Sequence, residues 1–403
     1  MIPETRLRRR QGAFYLSVSL KFGGAMAIAY VLQLMLKDLG APIVIITMAA
    51  SIHGLMQAIC SPAWGRKSDA SKRPALLYVT VIAVPFLVFQ LLGVTSSIAL
   101  FLLFLAAAAC FDGGFIPVGL DISMLYGEHH REKVSRHISI FTASLAFGSI
   151  LGRLSLAAAL SWVSASGVLR IGGLFGLFSV LAALAAGIRR KPVPASELPT
   201  EVNMETPYAG ETRIPVKIIS QAGLWPVYIG TLMLNIPIIG FISLSGVFQM
   251  DHHQLSFSSA AFLAAFDPLG MFLASLLLAR LLHSRNPKTF LAAAFLCTAL
   301  SLAVLYLSSS LAALACSWAL LGASTALFQS AGSLCIAEGF PKHRRAEGIG
   351  LQWTAATIGM VAGPLAAGAA ASVSYSLMFL VFFLVSLAGM AYMIIYRAFD
   401  LPK

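Results

Sequence analysis

Pro62-Ala63-Trp64-Gly65-Arg66-Lys67-Ser68-Asp69-Ala70-Ser71-Lys72-Arg73-Pro74 lies between two long apolar runs, at about 42–64 and 74–94. The turn carries four cations: Arg66, Lys67, Lys72 and Arg73. About 20 apolar residues in a helix cross a hydrocarbon core of ~30 Å. Two such runs around a basic turn predict a membrane hairpin, with the turn on the side where Lys and Arg collect.

The same alternation extends in both directions. Apolar runs fall at about 13–36, 42–64, 74–94, 97–120, 137–162 and 168–188, then at 224–247, 257–280, 288–308, 310–336, 347–371 and 375–397. That pattern predicts an all-α membrane protein of twelve spans: an N-terminal half (1–188), a linker (189–220) and a C-terminal half (221–403). Composition agrees. The 403 residues are 58% hydrophobic and 11% charged, against roughly 25% charged in a soluble domain. These charges are too few to coat a soluble enzyme.

The net charge of +12 does not point to nucleic acid. Of 28 Lys and Arg, 24 sit at the N-terminus, in the linker, at the C-terminus or in the loops after spans 2, 4, 8 and 10. Only Lys37 and Arg170 fall on the other side, while Lys21 and Arg153 lie within spans. This is a topology signal that predicts cytoplasmic termini and residence in the plasma (inner) membrane. The basic Met1–Arg10 segment leads into a run too long for a signal peptide, so it begins the first span. The linker opens with Arg189-Arg190-Lys191 and holds Pro192, Pro194, Pro199, Pro207 and Pro215. Such a composition predicts a flexible tether, although Glu197, Glu201 and Glu205 have helical spacing.

Several chemistries have no carrier. The five cysteines lie in or beside apolar runs without CxxC spacing, and the doublets His129-His130 and His252-His253 read as loop residues rather than a metal site. No Walker A, HExxH or GxSxG sequence is present, which argues against an ATP-driven pump or a hydrolase. The expectation is a non-enzyme without cofactor or metal.

The two halves repeat. Trp64-Gly65-Arg66 aligns with Leu278-Ala279-Arg280 at an offset of 214 residues, and Gly148-x-x-x-Gly152 with Gly359-x-x-x-Gly363 at 211. Parallel repeats place a binding site at their interface, near the midplane.

The loop 62–74 resembles the signature G-x-x-x-D-R-x-G-R-R/K between spans 2 and 3 of the major facilitator superfamily, with Gly65, Asp69 and Arg73 matching. Ala70 replaces the usual Arg and Lys72 the second Gly. Together with the two six-span halves, the resemblance covers the whole chain. It implies a central cavity lined by spans 1, 4, 7 and 10, with help from 2, 5, 8 and 11. It also implies that Asp69 latches the halves on the cytoplasmic side against the start of span 11. Arg73 has a natural partner in Asp121, at the cytoplasmic end of span 4. Gly148-x-x-x-Gly152-Arg153 resembles the G-x-x-x-G-P motif of proton-coupled antiporters, with Arg153 where Pro is expected; Gly359-x-x-x-Gly363-Pro364 is the fuller version. Small residues at this spacing also serve ordinary helix packing, and proline permits a bend. Span 4 has Ala106–Ala109 where drug antiporters carry an Arg.

Charges inside spans are costly and mark function or structural ion pairs. Lys21, His53, Asp112, Arg153 and Asp267 all lie on cavity-lining spans. Lys21 and Asp112 sit ~13 Å deep from the cytoplasmic side, by helix rise, and are expected to pair. Arg153 has no acidic neighbour assignable from sequence and reads as an anion contact. His53 and Asp267, pseudo-equivalent at the 214 offset, are expected to form one proton-responsive element. Asn235, Gln329, Gln352 and Trp353 are uncharged cavity candidates.

These residues predict a monomeric secondary active transporter that moves a small organic solute by alternating access, with protons as coupling ion. Export by antiport, as in drug or sugar efflux, is the first expectation. Uptake of an anionic or sugar solute is the alternative, and a non-transporting receptor or scaffold on the same fold is the contrasting class.

Overall fold

The computed structural model describes residues 4–41, 43–71, 73–127, 131–159, 165–187, 219–220, 223–255 and 257–396. Span 1 is the helix Glu4–Asp38, span 2 Ile43–Ala70, span 3 Pro74–Leu92, span 5 Arg131–Ala159 and span 6 Ala165–Ala186. Span 7 is Trp225–His253, span 9 Pro287–Leu307, span 10 Leu311–Gly339, span 11 Arg345–Ala371 and span 12 Tyr375–Ile395. Spans 4 and 8 are each two helices, Ile98–Asp112 with Phe115–Leu125 and Phe257–Ala264 with Phe266–Leu281. Nearly all of the linker and the His129-His130 pair lie outside the described residues.

Both breaks have local causes. Proline has no N–H and clashes with the carbonyl four residues back, so Pro268 cannot bond Ala264 and the helix restarts at Phe266. In span 4 the break falls at Gly113-Gly114, one turn before Pro117. A side chain at Gly113 would strike the backbone of Gln57, and one at Gly114 the Trp64 ring. Span 2 therefore crosses span 4 at these glycines. Trp64 Nε1 donates to the Cys110 carbonyl there at 2.7 Å.

Start signals are equally local. Pro74 and Pro287 occupy the first turns of spans 3 and 9, and the Asn286 side chain caps span 9 by accepting from the Lys288 N–H (3.0 Å). Among the described residues, ten helices are apolar over a membrane-crossing length. Their outward faces carry exposed Leu76, Leu87, Leu103, Leu177, Leu277 and Leu384. A water-soluble protein does not expose so many large apolar side chains on successive helices; this surface suits lipid.

The halves repeat in packing as in sequence. Span 1 packs on 5 and 6, 2 on 4, and 3 on 4 and 6; span 7 packs on 11 and 12, 8 on 10, and 9 on 10 and 12. Each pair reappears six spans later. The halves meet where span 2 packs on 11 and span 5 on 8. A two-fold axis along the membrane normal exchanges these two seams. The glycine motifs follow the same rule. Gly148 and Gly152 lie against the carbonyls of Ser19 and Gly23 in span 1, and Gly359 and Gly363 against those of Leu232 and Ile236 in span 7. Any Cβ at these positions would push the helices apart, so the motifs serve as close helix contacts, and Pro364 continues within span 11.

His252 and His253 are not loop residues. They form the last turn of span 7, and their Nε2 atoms lie 3.2 and 2.8 Å from the carbonyls of Tyr306 and Leu305 at the end of span 9.

Candidate functional site

One end of the bundle carries the basic loops. There the Asp69 carboxylate accepts from the backbone N–H groups of Ala346 (3.1 Å) and Glu347 (2.9 Å), the first turn of span 11. A helix N-terminus presents unpaired N–H donors and a positive dipole end, so it takes a carboxylate well. Gly65, one turn earlier in span 2, lies against the Ala346 carbonyl with no room for a side chain. Further along the seam, Thr354 Oγ1 donates to the Ala58 carbonyl (2.7 Å). Glu347, buried in this contact, pairs with Arg344 and lies 3.4 Å from Arg66 Nη1. The basic end is closed by this contact.

The expected Arg73–Asp121 partnership is not formed. Arg73 is exposed at the start of span 3, and its N–H donates to Ser71 Oγ. Asp121 is buried inside span 4 and accepts from Ser68 Oγ at 2.7 Å. Burial forces a carboxylate to find donors close by, and Ser68 lies on the packed face of span 2, which Arg73 does not reach.

Deeper in the N-terminal half, Lys21 of span 1 forms a hydrogen-bonded ion pair with Asp112 of span 4. The ammonium also sits 4.2 Å from the Phe115 ring centroid. The second carboxylate oxygen accepts from Gln57 Nε2 (2.8 Å) and lies 3.7 Å from His53 Nε2. Lys21 is 3% exposed and His53 29%, so the network is sealed at the lysine and open at the histidine. His53 therefore belongs with Asp112, on spans 1, 2 and 4, and the expected His53–Asp267 element is not formed. Equivalent positions in two halves face the axis from opposite seams; His53 is on span 2, which packs on span 11, and Asp267 on span 8, which packs on span 5.

The 5/8 seam has its own pair. Arg153 Nη2 lies 3.6 Å from Asp267 Oδ2, so Arg153 does have an acidic neighbour. Asp267 sits just past the break in span 8. That break supplies the second contact. The Ala264 carbonyl, which Pro268 leaves without its helical donor, accepts from Arg153 Nη1 at 2.6 Å. One arm of the guanidinium is thus fixed to backbone, while the other faces a carboxylate beyond hydrogen-bond distance.

Between the halves lies a cavity of about 360 Å³. Its wall is mostly apolar, with Phe22, Leu145, Ile238, Met271 and Phe328 among the lining side chains. The polar groups in it include Arg153 and Asp267, the amides of Asn235, Gln329 and Gln352, and hydroxyls such as Ser149 and Thr325. The Asn235 amide donates to the Thr231 carbonyl (2.8 Å). Gln352 accepts from Ser333 Oγ, and Trp353, also in the wall, has a buried Nε1 without a hydrogen-bond partner. An apolar cavity with a few convergent polar groups is the usual form of a small-molecule site. Lys21, Asp112 and His53 are not among the residues of this wall.

The comparisons with known proteins decide the family. A sequence model of the Major Facilitator Superfamily matches residues 14–267 and 227–403. The chain belongs to the major facilitator superfamily. No curated protein matches it by sequence. Among solved structures, the human organic anion transporter MFSD10 (TETRAN) superposes with a TM-score of 0.77 over 98% of this chain and all of that one, at 15% identity. That likeness is one of fold. As a superfamily member, the protein is an integral multi-pass membrane protein of a family of small-molecule transporters.

Three contributors to this superfamily member's site were missed from sequence. Gln57 lies one helical turn from His53, a spacing that puts both on one face. Pro268 was visible as a helix breaker, but its consequence required knowing that Arg153 stood opposite. Glu347 lies in the first turn of span 11, and nothing in its sequence position marked it as buried against span 2.

Proposed function

We propose that the protein is a proton-coupled secondary transporter that binds a small organic solute in the cavity between its halves. The halves open alternately to either side. Its basic end faces the cytoplasm of a plasma (inner) membrane, with both termini there, because 24 of 28 Lys and Arg mark that side. One chain contains both seams and the whole cavity wall, and the working unit is a monomer.

The observation that carries this reading is the Arg153–Asp267 pair in the cavity wall. A carboxylate held at a low-dielectric cavity and balanced by one cation can change protonation as its surroundings change. It also favours proton-driven uptake over efflux. Arg153 replaces the proline of the antiporter-like motif and gives the cavity a fixed cation. The similar fold belongs to a human organic anion transporter, which accords with that charge. Export remains a second reading, supported by the apolar majority of the wall, which suits lipophilic solutes.

Flux in proteoliposomes tests the proposal. With an imposed pH gradient, a panel of organic acids, sugars and lipophilic cations is expected to include a solute accumulated only in protein-containing vesicles. A protonophore should abolish that accumulation. Equal fluxes in protein-free vesicles across the whole panel would count against transport.

A further inference from the structure

We propose that Arg153 is the binding residue for an anionic group of the solute, and that Asp267 occupies its place while the cavity is empty. Proton and anion then travel together, one for one. This rests on the reading of the protein as a proton-coupled transporter and names its solute class.

The geometry supplies the argument. Arg153 Nη1 is fixed on the Ala264 carbonyl, so the cation stays in the wall whatever happens to Asp267. Nη2 faces Asp267 at 3.6 Å without a hydrogen bond, a contact that holds charge but little directional energy. A guanidinium offers five donors in a planar fork suited to a carboxylate. Here Nη1 is engaged, while Nε is buried and has no hydrogen-bond partner.

Charge balance then selects the solute. With Asp267 ionised, the empty site is neutral. When Asp267 takes a proton, Arg153 is left as an unpaired cation at low dielectric, which is costly. A bound anion restores neutrality. A cationic solute beside ionised Asp267 would leave a net positive charge, and a neutral solute would give the proton no partner. Only an anion with one proton leaves both loaded and empty sites neutral.

The other titratable groups facing this pair are distant. Span 8 packs on spans 5, 7 and 10. On span 7, Asp251, His252 and His253 lie about four turns or more from Asn235 of the cavity wall. On span 5, Glu132, Lys133, Arg136 and His137 lie about four turns or more from Arg153, at the basic end. On span 10, Glu338 lies about four turns from Gly322, the residue against Asp267. Arg280 of span 8 lies more than three turns beyond Asp267, at the basic end. Lys21, His53 and Asp112 engage one another on spans 1, 2 and 4.

Three isosteric probes test this: 1-naphthoate, 1-naphthylmethanol and 1-naphthylmethylammonium, each titrated against the thermal stability of the purified protein between about pH 5.5 and 8. Naphthoate should stabilise best, with affinity weakening up to tenfold per pH unit where Asp267 ionises. Asp267→Asn should bind naphthoate without that pH dependence. Arg153→Gln should lose the preference for naphthoate over the alcohol. Should Arg153→Gln not fold, Arg153→Lys takes its place; a lysine cannot hold the Ala264 carbonyl and an anion in one plane, so naphthoate must weaken relative to the alcohol. Preference for the ammonium probe, pH-independent naphthoate binding in the unmodified protein, or unchanged preference in the Arg153 variants would overturn the inference. So would stabilisation by none of the three. None of these outcomes touches the transport reading, which stands or falls on proton-driven flux.

Discussion

Lys21→Met is expected to destabilise the protein by about 3–5 kcal/mol, and Asp112→Leu by a similar amount, because each strands the partner's charge in the N-terminal half. Lys21 is 3% exposed, with Asp112 as its ion-pair partner. Asp112 would keep Gln57 and the nearby His53, which makes Lys21→Met the milder of the two single changes. The double variant, with both charges gone, should lose clearly less than the two single losses combined. Denaturation of the four proteins of this cycle in mixed micelles measures the coupling. Additive losses would mean that the two charges do not stabilise each other.

Asp267→Asn should remove proton-driven accumulation and leave solute exchange intact. The amide mimics the protonated acid, so Arg153 stays available and the solute still binds. Nothing then links its movement to the proton gradient. One proton per anion sets a ceiling of about 100-fold accumulation for a gradient of two pH units, since each unit is a factor of ten. In the variant the ratio should fall to about one, while counterflow between labelled and unlabelled solute persists. Undiminished accumulation in Asp267→Asn would remove this carboxylate from coupling, and loss of counterflow too would make it a structural residue.

The architecture was legible because lipid leaves few options. Twelve apolar runs, 24 cations on one side and a repeat near 214 residues dictate two parallel six-helix halves. Asp69 was legible through its motif, and its contact with the Ala346 and Glu347 N–H groups has the simple physics of a carboxylate at a helix start. Depth counting placed Lys21 near Asp112, although span 4 breaks just after Asp112. It did not reveal which neighbour Asp267 meets. Asp267 follows the interruption before Pro268, so its side chain meets Arg153 rather than the position its offset suggested. The offset itself misled for His53, because pseudo-symmetry relates seams without bringing them together. Side-chain partners such as Ser68 for Asp121 depend on which face of span 2 is packed, a rotation that an all-apolar helix does not declare in its sequence.

Alternating opening about a central cavity is tested most directly by distances between the halves at both ends. Spin labels at Lys67→Cys and Lys342→Cys flank the Asp69 contact, and labels at Val94→Cys and Val373→Cys report on the opposite end. With Asp69 intact, the first pair should show mainly its shorter distance. Asp69→Ala removes the acceptor for two N–H groups of span 11, and should raise the longer-distance population of the first pair while lengthened distances in the second pair decline. Such reciprocal change is what two halves rocking about one site must give. Distances at both ends that stay fixed, or that lengthen together, would contradict it.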